Sequence, residues 1–64
     1  MTELKRRRIN MGLTTQQLAE RLGVTRQYIS LLENGKRKPS FDVAKALKKI
    51  FDIAADELLV MGDV

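Results

Sequence analysis

Apolar positions along this chain recur at helical spacing, and no stretch alternates as a half-buried strand would. A first helix is predicted over about Thr2 to Met11, with Leu4 and Ile9 inward and Gly12 placed as its C-terminal glycine. Thr14 is positioned to cap a second helix, and Gln17 completes a capping box with it. That helix carries Leu18, Ala19 and Leu22 on its apolar face and ends near Leu22 and Gly23. Thr25 caps a third helix that runs through Glu33 and stops at Asn34-Gly35. After Lys36-Arg37-Lys38, Pro39 keeps the chain extended and Ser40 caps a fourth helix. Its inner face holds Val43, Ala44, Leu47, Ile50 and Phe51, while Lys45, Lys48 and Lys49 point outward. A short last helix is expected over about Ala55 to Val60. With no internal repeat or low-complexity tract, residues 1–64 read as one compact all-α domain.

The second and third helices belong together. Two short helices that cross steeply through a three- or four-residue turn need a small residue at the crossing, which Ala19 supplies. They also need a glycine at the turn, and Gly23 is expected there because a side chain would clash. Such a pair is how proteins present one helix to the major groove of DNA.

Composition narrows the alternatives. A chain of 64 residues allows one modest core and argues against a large buried active-site cavity. Without Cys or His there is no disulfide, thiol nucleophile, imidazole base or usual zinc ligand set, so neither a metal, a cofactor nor an enzyme is expected. The longest apolar run, Leu58 to Met61, is far short of a membrane span. The basic residues Lys5 to Arg8 are not followed by an apolar stretch, so no signal peptide is expected and the simplest location is the cytoplasm. The net charge is +4, unevenly spread: residues 1–50 carry all 12 basic groups against 4 acids, while residues 51–64 carry only acids. A basic body with an acidic end suits a surface that faces polyphosphate, although a lysine-rich solvated surface has the same composition.

At about 100° per residue, the third helix turns Thr25, Ile29 and Leu32 inward and Gln27, Ser30, Leu31 and Asn34 outward. Tyr28 lies on one edge, Glu33 and Arg26 on the other. The fork of Arg26 suits guanine O6 and N7, the amide of Gln27 suits adenine N6 and N7, Ser30 can donate or accept, and Leu31 suits a thymine methyl. Each has an ordinary alternative. Arg26 and Gln27 are good helix formers, Leu31 can pack on a neighbouring molecule, and Tyr28 is better placed half-buried than on a base. Phosphates need only donors and positive charge. The start of the second helix at Thr15 and Gln16 offers unpaired backbone N–H groups. Asn34 and Gly35 offer more beside Lys36, Arg37 and Lys38, so two candidate phosphate sites bracket the third helix.

The run Gly12-Leu13-Thr14-Thr15-Gln16-Gln17-Leu18-Ala19, then Leu22-Gly23-Val24-Thr25, then Ile29 to Ser40 resembles the phage repressor and Cro-type helix-turn-helix family. The likeness extends through Ala55-Asp56-Glu57-Leu58-Leu59, and Leu-Glu-Asn-Gly-Lys-Arg-Lys-Pro-Ser is its most specific part. The resemblance implies a compact five-helix repressor-like domain with the helix-turn-helix at helices two and three. It implies operator binding as a two-fold dimer, with base contacts at Arg26, Gln27, Ser30 and Leu31 and phosphate contacts at Thr15, Asn34, Lys36 and Lys38. It also implies a partly buried ion pair between Arg8 and Glu33, tying the first helix to the third.

Two departures bear on the expectation. Ala54 and Ala55 stand where the family often has a capping Ser or Thr, which predicts a frayed last helix. The chain ends at Val64, so dimerisation is expected to use the small apolar surface of Ile53, Leu58, Val60 and Met61, part of which must also cover the domain core. The leading expectation is a transcriptional regulator that competes with or recruits polymerase at a short palindrome. The alternatives are an antitoxin with a toxin partner or a restriction–modification controller using the same module, and a protein-interaction module without DNA binding.

Overall fold

The computed structural model describes residues 2–59. The architecture is all-α, with four helices of two to three turns: α1 (Glu3–Asn10), α2 (Thr15–Leu22), α3 (Arg26–Glu33) and α4 (Phe41–Phe51). A single helical turn, α5 (Ala55–Leu58), follows. A count of five is reached only by including this four-residue turn. It begins without a side-chain cap, on backbone bonds from Glu57 and Leu58 N–H to the Ala54 carbonyl. The expected extension to Val60 lies outside the described residues.

Local sequence sets the boundaries. Thr2, Thr14, Thr25 and Ser40 are all extended at the N-cap, and each side-chain oxygen accepts the N–H three residues on. The Thr14–Gln17 capping box is complete: Gln17 N–H donates to the Thr14 hydroxyl at 3.0 Å, and Thr14 N–H donates to the Gln17 side chain at 2.8 Å. At the far end of α2, Gly23 takes φ +70°, and Val24 N–H donates back to the Ala19 carbonyl at 3.0 Å. The left-handed backbone, not crowding, explains this glycine, because a Cβ there would meet nothing within 4 Å. The expected clash at Gly23 is therefore corrected.

Leu4, Leu18, Ala19, Ile29, Leu32, Val43, Leu47, Phe51 and Leu58 form one buried cluster drawn from all five elements. Leu22, Val24, Tyr28, Ala44, Ile50, Ile53 and Leu59 pack around it half-buried. Two inward assignments change, and one residue of the expected apolar surface proves to be core. Ile9 is 51% exposed, because Leu4 and Arg8, four apart, share the inner stripe of α1 and Ile9 is rotated off it. Thr25 is exposed, its position being that of a cap rather than of the helix body. Leu58 is fully buried and is a core residue, not part of a free apolar surface for a second subunit. Of the other residues expected there, Ile53 is half-buried, while Val60 and Met61 lie outside the described residues.

Candidate nucleic-acid interface

The three residues Gly23 to Thr25 separate α2 from α3, and these two helices make the most extensive interhelical contact in the fold. Ala19, fully buried, sits at that contact with only a methyl group, while Leu18, Ile29 and Leu32 carry the pair into the core. Burying Ile29 and Leu32 at a three-residue spacing forces the opposite face of α3 outward. Arg26, Gln27, Ser30 and Asn34 are exposed on it, and Leu31 is 37% exposed.

Thr15 meets this face. It lines one shallow, open depression together with Arg26, Gln27 and Ser30, so the start of α2 and the polar side of α3 border the same surface. The capping box uses the N–H groups of Thr14 and Gln17. Among the described residues, those of Thr15 and Gln16 have no acceptor, which leaves two donors at the positive end of the α2 dipole. The side chain of Gln16 turns along its own helix and donates one N–H to Glu20 at 3.2 Å, while its backbone N–H is offered outward.

The other bracket lies at the end of α3. Gly35 takes φ +70°, and Lys36 N–H returns to the Leu31 carbonyl at 2.9 Å, fixing where the basic loop departs. Asn34 donates weakly to the Ser30 hydroxyl at 3.4 Å. Lys36, Arg37 and Lys38 are all exposed. Arg37 is not free-standing: its guanidinium lies over the Tyr28 ring, 5.2 Å from the centroid, and the Tyr28 hydroxyl accepts the Ser40 N–H at 3.1 Å. Tyr28 is the residue that reading the wheel alone passed over. Its edge position on α3 was visible, but its bond to a residue twelve positions on was not.

Arg8 and Glu33 anchor α3 from behind. Arg8 Nε donates to Glu33 Oε2 at 2.7 Å and Nη2 to Oε1 at 3.3 Å, while Nη1 donates to the Leu13 carbonyl at 2.8 Å. Arg8 is 8% and Glu33 6% exposed, so this two-pronged pair joins α1, the α1–α2 turn and the end of α3 out of water. The remaining arginines of α1 are engaged elsewhere. Arg7 pairs with Glu3 at 2.9 Å and Arg6 with Glu3 at 3.4 Å. Among the described residues, no group of three acidic side chains is placed to hold a metal ion, and no helix is long and apolar enough to cross a membrane.

A family model described as helix-turn-helix matches residues 4–58. An HTH-type transcriptional regulator of Archaeoglobus fulgidus is 32% identical over 62 residues, covering 97% of this chain and 89% of that protein. A second, from Methanocaldococcus jannaschii, is 36% identical over 61 residues, covering 95% of this chain and 92% of that protein. The HTH-type transcriptional activator BcrR of Enterococcus faecalis is 42% identical over 57 residues, which span 89% of this chain but 28% of that protein. No solved structure matches the chain at a significant level.

Proposed function

From the premise that this chain belongs to the helix-turn-helix family of transcriptional regulators, we propose that it binds a short palindromic operator in double-stranded DNA as a homodimer. In this reading the chain is a repressor-like domain of the five-helix type, and α3 lies in the major groove. Arg26, Gln27, Ser30 and Leu31 face the base edges. Thr15 and Gln16 hold the backbone on one side through their N–H groups, and Asn34, Lys36, Arg37 and Lys38 hold it on the other. Phosphate contacts set the register of α3, and its outward side chains then discriminate bases. Regulation follows from occupancy of the site, in the cytoplasm, and not from catalysis. In a dimer the two copies of α3 are expected about 34 Å apart, one turn of B-DNA.

The observation that carries this reading is the shared depression of Thr15, Arg26, Gln27 and Ser30, because it sets backbone donors beside base-reading groups on one surface. The test is an unbiased selection from random duplex DNA with the purified protein at physiological salt, followed by a salt titration on the enriched site. An inverted repeat whose preference at one position relaxes in Gln27→Ala is the expected result. Weak, unselective binding that vanishes at moderate salt would refute it and favour a module that binds protein instead.

A further inference from the structure

The assignments above give Tyr28 no part in binding, yet it joins α3 to the basic loop at two points. Its hydroxyl accepts the N–H of Ser40, the cap of α4, and its face lies under the Arg37 guanidinium. The ring is half-buried against the core, so both contacts start from a fixed base. The segment between α3 and α4 is therefore held at each end. Lys36 N–H is bonded to Leu31 at the near end, and Ser40 N–H to Tyr28 at the far end. Arg37 sits between them.

A guanidinium over an aromatic face is attracted through its own face by the ring quadrupole. The guanidinium carries five N–H donors, and no hydrogen bond from them is present among the described residues, so two of them can take a pair of phosphate oxygens side by side. Lysine at the same place would keep the charge and lose the fork. Among the described residues, Arg37 has no acidic partner within ion-pair distance, unlike the three arginines that end α1.

We propose that Arg37 is a pre-ordered site for one phosphodiester of the DNA backbone, and that Tyr28 is the positioning residue that aims it. This rests on the DNA-binding reading above. Phosphates are common to every sequence, so the pair adds affinity without adding base preference.

The test is equilibrium binding to the selected operator and to a scrambled duplex of equal length. The proteins compared are the unaltered chain, Arg37→Lys, Arg37→Gln, Tyr28→Phe, Tyr28→Leu and the double variant Tyr28→Leu/Arg37→Lys. Arg37→Lys is expected to weaken binding to both duplexes by about 3- to 5-fold despite its unchanged charge. Arg37→Gln should weaken both further and reduce the slope of log K against log salt by about 0.9. Tyr28→Leu should match Arg37→Lys, and the double variant should be no worse than either single one, because both remove the same arrangement. Tyr28→Phe keeps the ring under Arg37 and is expected to fall between the unaltered chain and Tyr28→Leu. Should Tyr28→Leu fail to fold, Arg37→Lys and Tyr28→Phe still decide. Selective binding by the unaltered chain with Arg37→Lys indistinguishable from it would overturn this proposal alone. Selection of no DNA at all would overturn it together with the reading beneath it.

Discussion

Arg8→Met should destabilise the domain heavily, while Arg8→Met combined with Glu33→Met should not. Both groups of the pair are more than nine-tenths buried, and three of the guanidinium's nitrogens donate, two to Glu33 and one to the Leu13 carbonyl. Removing Arg8 leaves the Glu33 carboxylate buried without its cation, a loss of about 3–5 kcal/mol. A domain of this size has on the order of 3–10 kcal/mol of total stability, so one substitution consumes a large share of it. At about 4–8 °C per kcal/mol, the midpoint of thermal unfolding falls by at least about 12 °C. Replacing both partners with methionine removes the stranded charge and keeps the volume apolar, which in comparable buried pairs is neutral or stabilising. The remaining deficit is the Leu13 carbonyl, which loses its donor at a cost of about 1 kcal/mol.

The assay is urea unfolding followed by far-UV circular dichroism for the four members of the cycle. With about 3–5 kcal/mol lost in each single variant and about 1 kcal/mol in the double, a coupling energy of about 5 kcal/mol or more is expected, well above the few tenths found for independent sites. Two small and additive single losses would refute the reasoning, because they would mean that water reaches the pair and screens it. The cycle also separates two ways of losing DNA binding. A single variant assayed above its unfolding midpoint loses binding through unfolding, whereas the double variant is folded and reports on whether the pair itself sets the angle of α3.

Gly23→Ala should cost about 1–2 kcal/mol from left-handed backbone alone, and Gly23→Asn less, since asparagine tolerates that region better. Thermal melts check this, and an asparagine variant less stable than the alanine one would restore the steric explanation. Lys36→Gln and Lys38→Gln should each flatten the salt dependence of operator binding by about 0.9 in slope while leaving the preferred sequence unchanged. A changed preference in a repeated selection would place those lysines on bases instead.

Much of the fold was legible because each helix start carries its own chemistry. Thr14 with Gln17, Thr25 and Ser40 are caps that act within three residues, so no tertiary information is needed to place them. The outward face of α3 was legible for a related reason: Ile29 and Leu32 fix the buried direction, and the rest follows by rotation. Misplacements occurred where hydrophobicity and burial part company. Ile9 looks like core and is exposed, because the inner stripe of α1 beside Leu4 is filled by Arg8, whose buried pair with Glu33, twenty-five positions away, is the one the family resemblance implies. Leu58, expected with Ile53, Val60 and Met61 in an apolar surface of which part must cover the core, is the part that does, fully buried on α5, which packs on α1 and α4. The Tyr28–Ser40 bond was unreadable for the same reason, its two ends being set by packing rather than spacing.

The distribution of ion pairs sharpens what the net charge only suggests. A surplus of Lys and Arg is weak evidence for a polyanion partner, since it fits any solvated basic surface equally well. Arg6, Arg7 and Arg8 are matched to Glu3 or Glu33. Among the described residues the other basic groups make no ion pair. Arg26, Lys36, Arg37 and Lys38 border the start, the face or the end of α3, while Lys5, Arg21, Lys45, Lys48 and Lys49 lie elsewhere. Charge matched within the chain adds less to the attraction of DNA, although Glu3 offsets only one of the two arginines it faces, so the field is set mainly by the unmatched groups. What distinguishes the α3 side is therefore not unmatched charge alone but its coincidence with free backbone donors. Arg26 stands beside the start of α2, where the Thr15 and Gln16 N–H groups are unused, and Lys36, Arg37 and Lys38 follow the end of α3. The proposed contact with a phosphate chain would use this arrangement.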